Sequence, residues 1–305
     1  MQKYFLVFVL IIIFVAGCTN KKHPPVDSPR NGTINISVDE SFEPVIREEI
    51  KVYESSYPGT KINASYKSEA DCFRDLQGDS TRMIIVAKGL TRGESSSFKS
   101  KLTYEPQFGI LAYDAVSVIV NINARDTVFT MSDIRNMLSG KDTSHQVVVD
   151  GNNATSTVRY LLDSVLHGTP FGKNVMAAQG SKAVVDYISK NENAVGFVGS
   201  SWVTNEQDPE QKAYQQSINF ALLECTRNCD SGTFAKPSQA TIGNAQYPLV
   251  RPLYYVLKEN WNGLGSGFTN FLNLERGQLI FRRSFLVPAQ MYFGIRKGNI
   301  QTETQ

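Results

Sequence analysis

The sequence predicts an α/β protein, and three observations carry that prediction. Met83-Ile84-Ile85-Val86 and Val147-Val148-Val149 are short continuous apolar runs, the pattern of strands covered on both faces. Between such runs lie segments whose apolar residues recur at helical spacing, as at Ile46, Ile50, Tyr53 and Tyr57. Polar residues that favour helix starts stand just ahead of those segments. Strands that alternate with helices in this way build an α/β sheet.

In chain order, Ile34 to Val38 alternates apolar and polar residues as a strand does, and Asp39-Glu40-Ser41-Phe42-Glu43-Pro44 then starts a helix that Pro58-Gly59 stops. Lys61 to Tyr66 is a second strand, Glu69 to Leu76 a second helix, and Met83 to Val86 a buried strand. Tyr113 to Asn121 is the longest strand candidate. Thr130-Met131-Ser132-Asp133 opens a helix that runs through Leu138 and ends at Gly140. After Val147-Val148-Val149 a polar run, Asp150 to Thr157, leads into a helix with Val158, Leu161, Leu162, Val165 and Leu166 on one face, repeating the opening design. Ser181 to Lys190 reads as a helix and Ala194 to Gly199 as a strand. The polar stretch Asn205 to Lys236 is expected as a surface insertion, and Gly263-Leu264-Gly265-Ser266-Gly267 as a flexible turn. Pro252 to Leu257 returns to strand, and Phe268 to Leu272 with Gly277 to Phe281 read as closing helices.

The start of the chain has its own logic. Gln2-Lys3 is followed by an apolar run to Phe14 and then Val15-Ala16-Gly17-Cys18, which reads as a bacterial lipoprotein signal over residues 1–17. The run is shorter than the roughly 20 residues a membrane span needs. Cys18 would take the lipid, and residues 18–32 would tether a globular body to the membrane. The expected location is the cell envelope, lipid-anchored on the extracytoplasmic, periplasmic side.

The rest of the chain is long enough for one large domain or two lobes. With 31 Lys+Arg against 29 Asp+Glu the formal charge is +2, which gives no global field to attract nucleic acid. In an oxidising compartment Cys225 and Cys229 could close a small disulfide loop, unless local geometry forbids it. Cys72 is then an odd thiol, expected to be buried.

Enzyme signatures are mostly absent. The sequence holds no phosphate loop of the Gly-x-x-x-x-Gly-Lys kind and no Gly-x-Ser-x-Gly elbow. Its three histidines, His23, His145 and His167, are too scattered for a metal cluster, so no metal, cofactor or catalytic residue is expected. Glu48, Glu49, Asp71 and Asp75 read as solvated faces of helices. Two polar turns remain, Asp39-Glu40-Ser41-Phe42 and Asn152-Asn153-Ala154-Thr155-Ser156-Thr157, each where a strand hands over to a helix. Unpaired amides at two such helix starts, with hydroxyls added, would bind an anion if they faced each other. Taken alone, the turns are better explained as ordinary N-caps.

Five blocks in chain order resemble the phosphate-binding lipoproteins of ABC transporters, a branch of the type 2 periplasmic binding proteins. They are Asp39 to Pro44; Ile85-Val86-Ala87-Lys88-Gly89-Leu90-Thr91; Leu111 to Asn121; Gly180 to Asp186 with Asn193 to Gly199; and Tyr247-Pro248-Leu249-Val250-Arg251-Pro252-Leu253-Tyr254. The resemblance implies two α/β lobes joined by two hinge strands, residues 33–115 with 246–305 and residues 116–245, with crossings near Tyr113 to Val118 and Gly243 to Pro252. It further implies a monomeric, non-enzymatic receptor that holds a small oxyanion, phosphate foremost, between the lobes for a membrane transporter permease. The implied contacts are Glu40, Ser41, Phe42, Lys88, Asn153, Thr155, Ser156 and Thr157. The chain departs from the family where Ala87-Lys88 replaces Ser-Arg and Asn153-Ala154-Thr155-Ser156 replaces Gly-Ser-Gly-Thr after an arginine. Lys88 keeps a charge but loses the bidentate fork of arginine. Those departures leave an alternative from another class: a binding-protein fold turned signalling or scaffold module with a protein partner.

Overall fold

The computed structural model describes residues 27–151 and 155–290. The expected signal segment, the Cys18 lipidation point, most of the tether and Asn153 lie outside the described residues. From Asp27 onward the segment assigned to the tether is held on the body. Asp27 pairs with Arg82, and the Tyr53 hydroxyl donates to the Pro29 carbonyl.

The first strand, β1 (Gly32–Asp39), runs parallel to β2 (Thr60–Lys67) and β3 (Met83–Val86), with α1 (Glu43–Ser56) and α2 (Glu69–Gln77) between them. In α1, Pro44 sits in the first turn, where its missing N–H costs nothing, and Val45, Ile46, Ile50 and Tyr53 are buried. Glu49 is buried with them at 0% exposure, which corrects its expected place on a solvated face. The neighbouring Glu48 is the solvated one. A further helix, α3 (Arg92–Leu102), starts on a capping box of Thr91 and Glu94.

The spine of the molecule is β4 (Gln107–Asn121), six residues longer at its start than the sequence pattern suggests. Then follow β5 (Val128–Phe129), α4 (Met131–Ser139), β6 (Gln146–Val149), α5 (Ser156–Tyr160) continued by a wide turn over Leu161–Val165, β7 (Val175–Ala177), α6 (Ser181–Ile188) and β8 (Ala194–Gly199). α4 begins on a capping box of Thr130 and Asp133 and stops at Gly140, whose φ of 75° suits glycine. The remaining elements are α7 (Pro209–Tyr214), β9 (Ile218–Phe220), β10 (Leu222–Glu224), β11 (Phe234–Ala235), α8 (Gln239–Gly243), β12 (Val250–Leu257), α9 (Leu264–Asn273), α10 (Glu275–Arg283) and β13 (Val287–Pro288).

One sheet runs in the order β2-β1-β3-β12-β4-β8-β6-β7, with β13 and β9 also paired to β4. Among the described residues four buried clusters form along it, of which the two largest meet at the centre. Ile36, Val38, Ile46, Leu111, Ala112, Leu253 and Phe268 belong to the first. Ala115, Val116, Val118, Val147, Val158, Phe197 and Leu249 belong to the second. Thus β4 changes core between Ala112 and Ala115, and the antiparallel β12 changes back between Val250 and Leu253. At that handover Asp114 and Arg251 stand opposite each other in register.

Two further expectations are corrected. The stretch Asn205 to Lys236 is not a surface insertion throughout: Ile218, Ala221 and Leu223 are buried, and β9 joins the main sheet. β10 instead pairs with β5 and β11 in a small second sheet, beside a disulfide between Cys225 and Cys229. The glycine run 263–267 is no flexible turn, because Leu264 starts α9 and Gly265 and Gly267 are buried in it. A Cβ on Gly267 would stand 2.6 Å from both the Cα and the carbonyl oxygen of Pro29. Backbone gives little way, so Gly267→Ala is expected to destabilise by about 1–3 kcal/mol. It should also free the Asp27–Asn31 segment for proteolysis. Unchanged melting and unchanged cleavage there would contradict that packing.

Candidate functional site

The two cores meet at the C-terminal end of β1. There the chain enters a tight turn, Glu40–Phe42, whose start is capped by the Asp39 carboxylate: Oδ1 accepts the Ser41 amide at 2.9 Å. The other oxygen, Oδ2, accepts the amide of Ser156 at 3.1 Å, the first residue of α5 in the second core. Thr155 caps α5 by accepting the Val158 amide, and its hydroxyl donates to Asp150 Oδ1 at 2.6 Å. The ordinary capping role therefore holds for Asp39 and Thr155. It coexists with a close meeting of both turns.

Ser41 lies at the centre, fully buried. Its hydroxyl touches Asp150 Oδ2 at 3.4 Å, Thr157 Oγ1 at 3.3 Å and Ser156 Oγ at 3.4 Å. All three contacts are long for O–H···O bonds, whose usual spacing is about 2.7–2.8 Å. Behind them stands Arg251, 1% exposed. Its Nη1 donates to Ser156 Oγ at 2.9 Å and to Thr157 Oγ1 at 3.2 Å, while Nε and Nη2 hold Asp114 Oδ2 at 3.2 and 3.0 Å. A guanidinium only donates, so both hydroxyls must accept from it and keep their own protons for other partners. Ser41 and Asp150 stand there. The guanidinium also lies over the Phe42 ring, 4.9 Å from its centroid.

The site is rich in acid. Burial pushes the Asp39 carboxyl up to about 6, helped by the charges of Glu69 and Asp150 and opposed by Arg251. Burial pushes Glu40 up to about 7 against the hydrogen bonds from Ser181, with Asp150 and Asp39 adding to the rise. Asp150 and Asp114 are likewise raised by burial, against the hydroxyl bonds of Thr155 and Thr157 for the first and Arg251 for the second.

The structure thus brings together Ser41, Phe42, Thr155, Ser156 and Thr157 of the sequence-derived set. Glu40 turns its carboxylate aside: Oε1 accepts the Ser181 amide at 2.8 Å and Oε2 the Ser181 hydroxyl at 2.9 Å. Gly180, at φ 89°, supplies the backbone conformation that presents this amide. Lys88 is not brought in. Its ammonium pairs with Glu94 at 3.2 Å and lies over the Phe73 ring. Sequence reasoning missed Arg251, Asp150 and Asp114 as members. The signal was a lone arginine and a lone aspartate inside two otherwise apolar strands, charges that are seldom buried unless paired. Among the described residues no group of acids, histidines or cysteines could hold a metal ion.

Residues 24–275 match the family described as PBP superfamily domain. The phosphate-binding protein PstS of Staphylococcus epidermidis is 23% identical over 252 residues, covering 77% of this chain and 72% of the relative. Among solved structures, a protein from Clostridium perfringens with bound phosphate superposes with a TM-score of 0.69 at 19% identity, over 84% of this chain and 99% of that one. An ABC-type phosphate transport receptor from Vibrio cholerae gives 0.61 at 16% identity, over 84% and 100%. At such identities the superpositions establish the fold, the two-lobed type 2 periplasmic-binding-protein fold with two hinge strands. The chain belongs to the PBP superfamily.

Proposed function

We propose that the protein is a lipid-anchored, extracytoplasmic solute-binding protein that captures phosphate or a similar small oxyanion between its lobes for a membrane transporter. In this reading the lobes are residues 33–115 with 246–305 and residues 116–245, and the protein acts as a monomer without a chemical step. The observation that carries it is the loosely held Ser41 hydroxyl, facing two hydroxyls whose protons Arg251 directs toward it. Such convergent donors suit a tetrahedral oxyanion, and the Asp114-paired guanidinium behind them supplies an arginine fork of the kind the chain lacks at Lys88. The names of the relatives support the same ligand. The Cys225–Cys229 disulfide fits an oxidising compartment.

Calorimetric titration tests this directly. Protein beginning at Thr19 is unfolded and refolded to strip carried-over ligand, then titrated with phosphate, with sulfate as control. Micromolar or tighter binding, about −8 kcal/mol or better, is expected. No heat and no thermal stabilisation at millimolar phosphate would sink the reading. The second reading, a repurposed module with a protein partner, would then gain, since the site's donors are already engaged by Asp39 and Asp150.

A further inference from the structure

We propose that Asp39 is a resident competitor: its carboxylate occupies the place of the oxyanion and latches the two lobes shut in the absence of ligand. One oxygen accepts the Ser41 amide and the other the Ser156 amide, so a single buried carboxylate bridges the two turns that the oxyanion reading requires to converge on a ligand. Nothing about capping Glu40–Phe42 requires the second bond, which reaches 117 residues along the chain.

The surrounding bonds act in the same direction. Ser181 donates its amide and hydroxyl to Glu40, and Ser201 Oγ donates to the Ser41 carbonyl at 2.6 Å. Trp202 Nε1 donates to the Glu40 carbonyl at 3.0 Å, and Arg159 holds Glu69. In these bonds the donors stand on the second lobe and the acceptors on the first. The long Ser41 hydroxyl contact to Asp150 and the Arg251 bonds to the Ser156 and Thr157 hydroxyls run the other way. A small anion is not needed to hold this arrangement together. It would instead have to displace the Asp39 carboxylate, both for the amides and because two anions would otherwise share one buried volume.

Two measurements test the latch. The ligand arm rests on the phosphate reading; the shape arm does not. Asp39→Asn is the sharp variant, because asparagine caps the Glu40–Phe42 turn as well as aspartate does, but a single carbonyl oxygen cannot accept from both Ser41 and Ser156 in this geometry. Relieving a competitor that fills most of the unliganded population tightens apparent affinity by the inverse of the free fraction, so about tenfold tighter phosphate binding is expected. In small-angle scattering, ligand-free wild type should already be compact and change little with phosphate. Asp39→Asn should expand without phosphate.

If Asp39→Asn fails to fold, Ser156→Pro serves for the shape arm. It removes the same amide at the first helical position, which tolerates proline, after a Thr155 already extended at φ −78° and ψ 155°. The inference is overturned if ligand-free wild type is expanded and contracts on adding phosphate. It is equally overturned if the variants scatter like wild type. If no form binds phosphate, the receptor reading fails and scattering alone decides the latch. If phosphate binds to wild type and to Asp39→Asn with equal affinity, the receptor reading stands and the competitor role falls.

Discussion

Arg251→Met is expected to cost about 3–5 kcal/mol of folding stability, because it leaves Asp114 buried without its counter-charge. Both groups are essentially inaccessible, 1% and 0% exposed at the side chain, and sit opposite each other where β4 and β12 pass from one core to the other. Burial already pushes the Asp114 carboxyl up against the pull of the guanidinium, so removal of Arg251 would push it further and favour a neutral acid. The double variant Arg251→Met with Asp114→Leu should regain most of the loss, since replacing a buried ion pair by well-packed apolar groups is often neutral or better. Urea unfolding of the three proteins measures this. The double variant also separates folding from function: it should remain folded yet lose phosphate affinity at least tenfold, because Ser156 and Thr157 no longer have a donor that fixes their protons. Full affinity in a stable double variant would remove Arg251 from the binding site.

The parts of the fold legible in the sequence are those whose burial is complete or whose caps are chemical. β3 and β6 are continuous apolar runs, and they form strands covered on both faces. α4 was legible twice over, from its capping box and its C-terminal glycine. α3 was not, because Phe98 is its only buried residue and so no stripe marks it; the Thr91–Glu94 box was the available signal. β9 and β10 hid in a polar stretch because three residues are too few for alternation to show. The glycines of α9 misled for another reason. They are small because Pro29 and Glu259 pack close against that helix, a tertiary fact with no local trace.

At the site, the hydroxyls were legible because they are contiguous with helix starts. Arg251 was not assigned, since its partners Asp114 and Ser156 lie 137 and 95 residues away in the chain. Asp39 was legible as a cap but not as a bridge. Capping is written in a few residues, whereas bridging depends on how the second core is placed.

A pH series should show the cost of this acid-rich interior. Asp39 and Glu40 are raised to about 6 and about 7, and Glu49 is raised well above the usual carboxylate range by burial alone. An acid whose folded value lies above its unfolded one binds more protons in the native state, so its contribution is full below about pH 4 and is lost as pH rises toward the folded value. Asp27, Asp75 and Glu94 are lowered: burial, the largest influence on each, is overcome by bonds to Arg82 for the first, Lys67 for the second, and Thr91 and Lys88 for the third. They act in the opposite sense, and their stabilisation is lost only as pH falls below the ordinary carboxylate range. Stability in urea should therefore peak at about pH 4 and decline by a few kcal/mol on reaching pH 8, roughly 3 from Asp39 alone over that whole range. Glu49 isolates the effect from the binding site, since both its carboxylate oxygens are buried without a hydrogen-bond partner among the described residues. Glu49→Leu should stabilise the protein by about 1–3 kcal/mol at pH 8 and by much less at pH 5, because the cost of holding neutral an acid that ionises in the unfolded chain grows with pH. A gain that is the same at both values would mean that Glu49 is not held protonated. Stability that rises between pH 5.5 and pH 8 in the wild type would show that the buried carboxylates are stabilised as anions.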